Sequence, residues 1–442
     1  MSNPVIIKNK INKFNKVITV SGDKSLSIRW VLFSSLAEGV SKAKNLLISQ
    51  DVLAAIKAIK KLGIKSSINK KNECKIYGKG IEGYKYKKNI TINAENSGTL
   101  GRLILGLLIN TSNPIKLIGD KSLSKRDFSR VSKPLSKFGA RFRLRKNKNL
   151  PLTILGSNKL RSIKYTENKG SAQCKSSVIF GAMRSSGTTI IKAKKSRNHT
   201  ELLSKYLNLP LIVKKYKNYD EIKIKKIKTI KPLNYKIPSD ISSSAFFIVL
   251  TALSNNSKLL IKNVNINPSR TGIITILKKM GIPITLININ TYKGEKVADI
   301  KIKSPKYIKS INCPKKLNSG AIDEFLIIFL VAAKAKGVSY FKDLAELNQK
   351  ESPRLKWASY ILKKMGIKTD VTSHSIKIYG NPNLKIKKKI FIKNFLKDHR
   401  VFMTSIIAAL SFGGEWKIYD KDSIKTSFPN FLKIINEIKD ND

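Results

Sequence analysis

The arginines of this chain are candidates for anion binding. Only 13 of its 87 Lys and Arg residues are arginines, so an arginine is expected where a planar guanidinium has an advantage over an ammonium group. That advantage is a two-pronged hydrogen bond to phosphate or carboxylate. Six arginines fall at or near the predicted start of a helix: Arg29, Arg102, Arg126, Arg197, Arg354 and Arg400. This placement predicts binding of an anionic ligand.

Six segments of the chain share one pattern that would position these arginines. Each has a small or polar start, a helix-forming stretch, a break and a β-rich run, and each is followed by a second helix. The segments begin at Ser25, Ser97, Ser171, Ser242, Ala321 and Lys397. Four of the second helices end at a glycine, namely Gly63, Gly139, Gly281 and Gly366, which suits a left-handed helix end before a strand. A period of about 70 to 80 residues predicts an α/β protein of six repeats.

The first helix of each repeat is apolar or small on most of its surface, as in SSVIFGAM, SIIAAL and FFIVLTAL. Such helices are buried on all sides, so the sheets should lie outside them. If they run parallel, their N-terminal N–H groups and dipoles make an anion site. Polar residues at these starts would line it: Lys24, Ser25, Arg29, 96–102, Ser171, Gln173, Asp240, Ser242, Asp323, Glu324, Asp398, His399 and Arg400. The set combines cations with carboxylates.

The composition sets limits on the class of protein. The formal net charge is +59, which raises nucleic-acid binding as one hypothesis. The lysines are spread along the whole chain and no RNP, GxxG or zinc-finger pattern accompanies them, so a lysine-biased composition explains the charge better. Three scattered cysteines indicate a reducing compartment. No segment reads as a membrane span or a signal peptide, and we expect a cytoplasmic protein.

Motifs along nearly the whole chain resemble those of the EPSP synthase (3-phosphoshikimate 1-carboxyvinyltransferase) family. Seven of them are SGDKSLSIR from Ser21, ENSGTLGRL from Glu95, GDKSLSKR from Gly119, SAQCKS from Ser171, SRNHTE from Ser196, PSDISSSAFF from Pro238 and IDEF from Ile322. Three more are QKESPR from Gln349, KDHRVFM from Lys397 and SFPNF from Ser427. Because the motifs occur in order, the resemblance is specific.

This resemblance implies two inside-out α/β domains, each of three βαβαββ-type repeats around buried parallel helices. One domain would span residues 21–239, and the other would span 240–442 together with 1–20. The implied reaction moves the enolpyruvyl group of phosphoenolpyruvate to the 5-hydroxyl of shikimate 3-phosphate by addition and elimination. It uses no cofactor and no metal, and the implied partners are these two small molecules.

The resemblance also implies roles for individual residues. Shikimate 3-phosphate would be held by Lys24, Ser25, Arg29, Ser171, Ala172, Gln173, Arg197, Asp323 and Lys350. Phosphoenolpyruvate would be held by Lys24, Gly98, Arg126, Gln173, Arg354 and Arg400. Asp323 would accept the proton of the 5-hydroxyl, and Glu351 with Lys24 would move protons at the methylene carbon and the departing phosphate.

Several positions depart from the family pattern. Asp127 stands where Pro is usual, Pro353 replaces an Asp, and Asn348 and Gln349 replace residues that are often Arg and Val. Pro353 could reset the start of the following helix. Lys425 is a further candidate for phosphoenolpyruvate, next to the position where some relatives carry a Lys.

Structural rather than catalytic roles are predicted for other residues of these motifs. Asp240 is predicted to be a helix N-cap, and Arg102 to brace its helix. His399 is predicted to be a packed histidine, His199 a hydrogen-bonding residue between repeats, and Cys174 a small core residue. None of these receives a catalytic role.

Two alternatives to the implied activity stay open. A sibling enolpyruvyltransferase acts on UDP-N-acetylglucosamine and typically carries a reactive Cys in a mobile loop, but the corresponding segment here, GDKSLSKRD, has none. The other alternative is a basic nucleic-acid-binding protein. Family members are generally monomers, and a monomer without nucleic acid or membrane partner is expected.

Overall fold

The computed structural model describes residues 3–439. The chain divides into two compact units. We call Gly22–Ile237 with Tyr292–Glu295 the N-terminal unit, and Met1–Ser21, Pro238–Thr291 and Lys296–Asp442 the C-terminal unit. Residues 1, 2 and 440–442, which the predicted domain boundaries include, lie outside the described residues.

The strands of the described chain are mostly short. They are β1 (Val5–Ile7), β2 (Asn15–Ile18), β3 (Glu38–Lys44), β4 (Lys65–Ile68), β5 (Cys74–Lys79), β6 (Thr91–Asn93), β7 (Ile115–Ile118), β8 (Arg141–Arg145), β9 (Asn149–Leu155), β10 (Lys164–Glu167), β11 (Thr188–Lys194), β12 (Leu211–Lys215), β13 (Tyr219–Lys225), β14 (Tyr235–Lys236), β15 (Lys258–Asn265), β16 (Ile284–Tyr292), β17 (Glu295–Lys303), β18 (Gly337–Phe341), β19 (Thr369–Val371), β20 (Ile376–Gly380), β21 (Lys389–Ile392) and β22 (Glu415–Ile418). They form six separate sheets, three in each unit.

The helices alternate between long buried ones and outer ones with a single buried face. They are α1 (Lys24–Leu36), α2 (Gln50–Lys61), α3 (Gly98–Leu107), α4 (Ser129–Ser136), α5 (Ala172–Ala182), α6 (His199–Tyr206), α7 (Ile241–Leu253), α8 (Gly272–Lys279), α9 (Asn318–Ala321), α10 (Phe325–Lys334), α11 (Arg354–Lys364), α12 (His399–Phe412) and α13 (Phe431–Lys439). Four short 3₁₀ helices cover Leu123–Lys125, Lys315–Leu317, Ala345–Gln349 and Lys421–Thr426. No helix of residues 3–439 has both the length and the apolar character that crossing a membrane requires.

The N-terminal unit contains three four-stranded sheets of one design. Their strand orders are β14-β3-β5-β4, β6-β7-β9-β8 and β10-β11-β13-β12. In each sheet the first pair is parallel and the other two pairs are antiparallel. The repeat β6-α3-β7-α4-β8-β9 shows the unit of construction, because its parallel strands flank the buried helix. The short strand β14 supplies the parallel partner that β3 would otherwise lack.

The C-terminal unit repeats this design with local changes. Its sheets are β16-β17-β15-β2, β18-β20-β19 and β1-β22-β21. Strand β2, near the start of the chain, pairs in parallel with β15, and β21 pairs in parallel with β22. Beside β18 the parallel partner is reduced to two isolated bridges, Lys309 to Lys336 and Asn312 to Tyr340. These six sheets confirm the predicted α/β fold of two three-repeat halves.

The inner helices α1, α3 and α5 of the N-terminal unit, and α7, α10 and α12 of the C-terminal unit, are buried. Every residue of α7 and of α12 is buried. Several of their hydroxyl groups donate to the carbonyl four residues earlier, as Ser244 does to Asp240 at 2.9 Å and Thr251 to Phe247 at 2.8 Å. Serine and threonine are therefore tolerated inside these helices.

The inner helices begin with caps that the sequence partly predicts. A side chain accepts a hydrogen bond from the first turn in five of the six, and these caps are Asp23, Ser97, Ser171, Asp240 and Asp398. The prediction that Asp240 is a cap is confirmed. The exception is α10, which follows Glu324 without a side-chain cap.

Candidate active site

In the N-terminal unit, the first turns of α1, α3 and α5 bring together most of the predicted binding residues. We call these residues the N-terminal cluster: Lys24, Ser25, Arg29, Gly98, Arg126, Ser171, Ala172, Gln173 and Arg197. Lys24 is the first residue of α1, and its Nζ donates to Asp51 Oδ2 at 2.9 Å. Asp51 lies in the first turn of α2, so the second helix of the repeat orients this lysine.

Arg29 is held on three sides within this cluster. Its Nε donates to Thr200 Oγ1 at 2.8 Å, its Nη2 to Ser176 Oγ at 3.1 Å and its Nη1 to the Ser25 carbonyl at 3.1 Å. Burial lowers the pKa of Arg29 to about 10, and the nearby Glu201 carboxylate opposes that shift. The guanidinium therefore stays protonated at neutral pH, and its hydrogen bonds hold it in place, as an anion-binding residue requires.

The amide of Gln173 lies between two helices. Its Oε1 accepts from Arg102 Nη1 at 2.7 Å, and its Nε2 donates to Thr99 Oγ1 at 3.0 Å. Arg102 also reaches the Gly98 carbonyl at 3.4 Å and stacks on the Phe128 ring at 5.1 Å. Burial lowers the pKa of Arg102 to about 10, and the charge of Arg126 acts in the same direction. Arg102 thus braces its own helix, as predicted, and also orients Gln173.

Arg126 follows the 3₁₀ helix Leu123–Lys125, and its Nη2 donates to Asn96 Oδ1 at 3.3 Å. Asn96 in turn donates to Asp120 Oδ2 at 2.6 Å. A Cβ atom placed on Gly98 would lie 2.8 Å from Arg102 Nη1 and 3.0 Å from Arg126 Nη1. Gly98 therefore leaves room for both guanidinium groups at the start of α3.

The departure at Asp127 has a local explanation. Its Oδ1 accepts from the Ser129 backbone N–H at 2.8 Å and from Ser129 Oγ at 2.6 Å. Burial would raise the pKa of Asp127, but these hydrogen bonds and Arg130 hold it below the ordinary value. Asp127 thereby fixes the start of α4 immediately after Arg126.

The remaining residues of the cluster surround the starts of α5 and α6. Ser171 caps α5 through its Oγ, which accepts from the Cys174 N–H at 3.3 Å, and Ala172 is the first residue of that helix. Arg197 precedes α6, and its charge acts on Arg29. Cys174 is buried, as predicted for a small core residue.

Two buried polar pairs lie behind this cluster; a hydrogen bond from His199 was predicted from the sequence, but its partner was not. His199 Nδ1 lies 2.6 Å from Glu295 Oε1, and both side chains are fully buried. Lys175 Nζ lies 2.6 Å from Glu201 Oε1, also buried. His199 and Glu201 flank Thr200, the acceptor for Arg29, so α6 begins with three consecutive side chains engaged in polar contacts. The motif SRNHTE indicates polar contacts at this helix start, but it does not identify the partners.

In the C-terminal unit, the starts of α10, α11 and α12 bring together the other predicted residues. We call them the C-terminal cluster: Asp323, Lys350, Glu351, Arg354 and Arg400. Asp323 Oδ1 lies 3.2 Å from Lys350 Nζ and 3.6 Å from Arg354 Nη1. Arg354 Nη2 also donates to Glu351 Oε2. Both predicted proton-transfer carboxylates therefore contact one guanidinium group.

Asp398 anchors that guanidinium from behind. Arg354 Nε donates to Asp398 Oδ2 at 2.9 Å, and Arg354 Nη2 donates to Oδ1 at 3.3 Å. Burial alone would lower the pKa of Arg354, but Asp398 and Glu351 raise it above the ordinary value. Burial would likewise raise the pKa of Asp398, and Arg354 holds it below the ordinary value. The pair is charged, and Asp398 is a cap as well as a counter-ion.

Arg400 and Arg354 each retain donor capacity. Among the described residues, the Nη1 atoms of both arginines are buried without a hydrogen-bond partner. Arg400 Nη1 lies 3.8 Å from Glu324 Oε1, too far for a hydrogen bond. Glu324 accepts from Ser242 Oγ, whose oxygen also accepts from Arg270 Nη2 at 2.8 Å. Because buried guanidinium donors are costly to leave unpaired, these atoms mark a place for an anion.

Three other predicted residues lie at the edge of the cluster. Pro353 occupies the N-cap position of α11, immediately before Arg354. His399 is buried, with Nδ1 3.4 Å from Thr426 Oγ1, as expected for a packed histidine. Lys425 pairs with Asp422 at 2.8 Å on the surface.

Within residues 3–439, no group of three or more His, Cys, Asp and Glu side chains is arranged to hold a metal ion.

The groups of each cluster suit the binding of a polyanion, and those of the C-terminal cluster also suit acid–base chemistry. Fixed guanidinium and ammonium groups can bind phosphate and carboxylate, and half-buried carboxylates beside them can accept or donate protons. Most of these side chains are held by neighbours before any ligand binds. Such preorganisation is what electrostatic catalysis needs.

Comparisons with known proteins agree with this chemistry. The family model of EPSP synthase (3-phosphoshikimate 1-carboxyvinyltransferase) matches residues 8–435. A 3-phosphoshikimate 1-carboxyvinyltransferase of Ruthia magnifica subsp. Calyptogena magnifica is 39% identical over 428 residues, covering 97% of this chain and 96% of its own. One from Thermoanaerobacter sp. (strain X514) is 38% identical over 431 residues, covering 97% and 98%.

The fold comparison gives the same result. The structure of an EPSP synthase from Acinetobacter baumannii superimposes with a TM-score of 0.87 at 33% identity, covering 99% of this chain and 98% of the other. The enolpyruvyl transferase NikO from Streptomyces tendae shares the fold with a TM-score of 0.75 at 12% identity. With a family model over nearly all its length and relatives of this similarity, the chain belongs to the EPSP synthase family.

Proposed function

We propose that this protein transfers the enolpyruvyl group of phosphoenolpyruvate to the 5-hydroxyl of shikimate 3-phosphate. The products are 5-enolpyruvylshikimate 3-phosphate and inorganic phosphate. Family membership and the names of the relatives support this reaction. The observation that carries it in the structure is the pair of buried Nη1 groups of Arg354 and Arg400, together with the carboxylates Asp323 and Glu351 that contact Arg354.

We assign the N-terminal cluster chiefly to shikimate 3-phosphate. Arg29, Arg197 and Lys24 supply positive charge for the phosphate and carboxylate, and Ser25, Ser171, Ala172 and Gln173 supply hydroxyl, backbone and amide donors. Asp323 and Lys350 would complete the binding of this substrate. The preorganised hydrogen bonds of Arg29 support its assignment.

Phosphoenolpyruvate would be held by Lys24, Gly98, Arg126, Gln173, Arg354 and Arg400. In the addition step, Asp323 takes the proton of the 5-hydroxyl as its oxygen bonds to C2 of phosphoenolpyruvate, and C3 gains a proton to become a methyl group. In the elimination step, the methyl group loses a proton and the C2–O bond to phosphate breaks. Glu351 and Lys24 exchange the protons at C3 and at the departing phosphate.

Phosphate release tests this reaction directly. The purified protein is mixed with phosphoenolpyruvate and shikimate 3-phosphate without added metal, and a second mixture contains UDP-N-acetylglucosamine as the acceptor. Release is expected only with shikimate 3-phosphate. The Asp323→Asn variant should lower kcat by about 10²- to 10⁴-fold, the usual contribution of a general base. Release with UDP-N-acetylglucosamine alone would show that the proposal is wrong.

A matched control keeps the variant interpretable. Asp343 is an exposed aspartate paired with Lys315 at 2.8 Å, so Asp343→Asn removes the same charge outside both clusters. Its kcat should equal that of the wild type. Equal losses in both variants would exclude a specific role for Asp323.

We further propose that the protein works as a cytoplasmic monomer without a nucleic-acid partner. The free and buried state of Cys74, Cys174 and Cys313 supports a reducing compartment. Light scattering after size exclusion should give the mass of one chain, 49.6 kDa. Any RNA binding should disappear as salt rises from 50 to 200 mM, because it would depend on counterion release alone.

A further inference from the structure

Three of the proposed site residues, Lys350, Glu351 and Arg354, lie in the segment before α11 and at the first residue of that helix. The segment connects the 3₁₀ helix Ala345–Gln349 to the first residue of α11. Because the segment has no regular structure of its own, the positions of these side chains depend on what holds its two ends.

Helix α11 begins without a cap of its own. Its N-cap residue is Pro353, which makes no side-chain cap hydrogen bond. The first N–H groups of a helix have no partner inside the helix. The start of α12 differs, since it is capped by Asp398. An N–H group in the first turn of α11 therefore needs an acceptor from elsewhere.

Asn348 supplies that acceptor across a seven-residue span. Its Oδ1 accepts from the Leu355 N–H at 3.1 Å, and its Nδ2 donates to the Ser373 carbonyl at 3.1 Å. Ser373 lies in the turn between β19 and β20, so one amide ties the helix start to the sheet. The neighbouring Leu347 is buried in the core and fixes the backbone beside Asn348.

We propose that Asn348 is a positioning residue for Lys350, Glu351 and Arg354, acting as a clamp that closes the segment 348–355. This inference rests on the proposed function, since it concerns the same site. Asp398 holds the guanidinium of Arg354, and Asn348 holds the backbone that carries it. Without the amide, the segment keeps the side-chain contacts of Lys350 and Arg354 with Asp323 and those with Asp398, which also accepts from Ser352 Oγ at 2.8 Å.

Asn348 and Pro353 form a coupled pair in this arrangement. Pro353 has φ −71°, so its ring suits the backbone immediately before the helix. Three carboxylates already contact Arg354, namely Asp323, Glu351 and Asp398. A capping aspartate at position 353 would add a fourth negative charge, whereas the neutral amide of Asn348 provides the cap without it.

The coupling predicts a rescue experiment. Asn348→Ala removes the clamp, and Pro353→Ser in that background returns an uncharged acceptor that can reach the second N–H of the helix, that of Leu355. Gln349→Ala is the matched control, because Gln349 is an exposed neighbour in the same 3₁₀ helix. The three variants and the wild type are compared by hydrogen exchange of the peptide covering residues 350–357 and by steady-state kinetics for both substrates.

In Asn348→Ala, exchange of the peptide should accelerate, and KM for both substrates should rise by about fivefold, the factor that corresponds to one lost cap. The double variant should recover most of both effects, and Gln349→Ala should match the wild type. Unchanged exchange in Asn348→Ala would overturn the clamp. Faster exchange with unchanged kinetics would overturn the positioning role. A wild type without turnover would instead refute the proposed function, while the exchange data would still decide on the clamp.

Discussion

A methyl group added at Gly98 should separate ligand binding from stability. Gly98 is the first residue of α3 and is buried. Its substituted Cβ would lie 2.8 Å from Arg102 Nη1 and 3.0 Å from Arg126 Nη1. Both guanidinium groups must retreat by about half an ångström to reach ordinary contact. Arg102 cannot move freely, because it is bound to Gln173 at 2.7 Å, so Gln173 moves with it.

The expected magnitude follows from the contacts that are disturbed. A hydrogen bond to a charged group contributes about 1.5–3 kcal/mol, and Gly98→Ala displaces Arg126 from the place assigned to phosphoenolpyruvate. Loss of one such bond raises KM for phosphoenolpyruvate by about 10- to 100-fold. Alanine in a helix is favoured over glycine by about 0.5–1 kcal/mol, so the unfolding free energy should not fall.

Steady-state kinetics with each substrate varied in turn, together with urea unfolding, measure both quantities. KM for shikimate 3-phosphate should change less than KM for phosphoenolpyruvate, because Gln173 is assigned to both substrates and Arg126 to phosphoenolpyruvate alone. Gly101→Ala is the control, since its new methyl group faces Phe128 at 3.3 Å and no guanidinium group. If Gly98→Ala leaves KM for phosphoenolpyruvate within twofold of the wild type, Arg126 does not bind that substrate and the reasoning fails.

Three further predictions concern buried ionisable groups. Arg354 holds the pKa of Asp398 below its ordinary value, so the pair stabilises the fold above about pH 4 and loses that contribution as pH falls. The urea-unfolding free energy of Asp398→Asn should therefore decline less than that of the wild type between about pH 5 and 3. An equal decline in both proteins would contradict this prediction. Glu295→Ala leaves the buried His199 Nδ1 without this hydrogen-bond partner and should cost about 1–3 kcal/mol in the same assay, whereas a loss near zero would show that the pair is dispensable. Burial raises the pKa of the Cys74 thiol to about 12, so iodoacetamide at pH 8 should modify Cys74 only after urea unfolding, and rapid labelling of the native protein would refute it.

The repeat pattern predicted the fold well because it depends on local signals. The apolar first helices, the glycines after the second helices and the alternating strands are all readable within a few residues. The helix ends at Gly63 and Gly281 have φ values of +85° and +89°, as a left-handed end requires. The starts of helices are predicted less precisely. The fifth segment of the repeat pattern begins at Ala321, but α10 begins at Phe325, after the separate short helix α9.

Contacts between distant parts of the chain could not be predicted in this way. His199 and Glu295 are 96 residues apart, and nothing near either residue identifies the other. Asp240 was predicted as a cap from its local motif, but its ion pair with Arg270 at 3.0 Å depends on how α7 and the segment before α8 pack. Local chemistry thus predicts which residues are polar and where helices begin, while packing decides which charges meet.

The roles predicted for the site residues came from the resemblance and stay proposals. What the structure adds is how these side chains are held, as in the three bonds to Arg29 and the two bonds of the Asn348 amide. The sequence marked Asn348 and Pro353 as separate departures. The structure connects them, because Asn348 Oδ1 accepts from the N–H of Leu355 in the first turn of α11, which Pro353 precedes and does not cap.

The parallel pairing of β2 with β15 has a consequence for biosynthesis. Asn15–Ile18 must wait for Lys258–Ile261 to be made before they can pair. At about 5–20 residues per second, the roughly 240 intervening residues take about 12 to 50 seconds to synthesise. During that time most of the N-terminal unit can fold, but the segment ahead of it stays without its sheet. Deleting the residues before Gly22 would therefore remove two strands, β1 and β2, from two different sheets of the C-terminal unit.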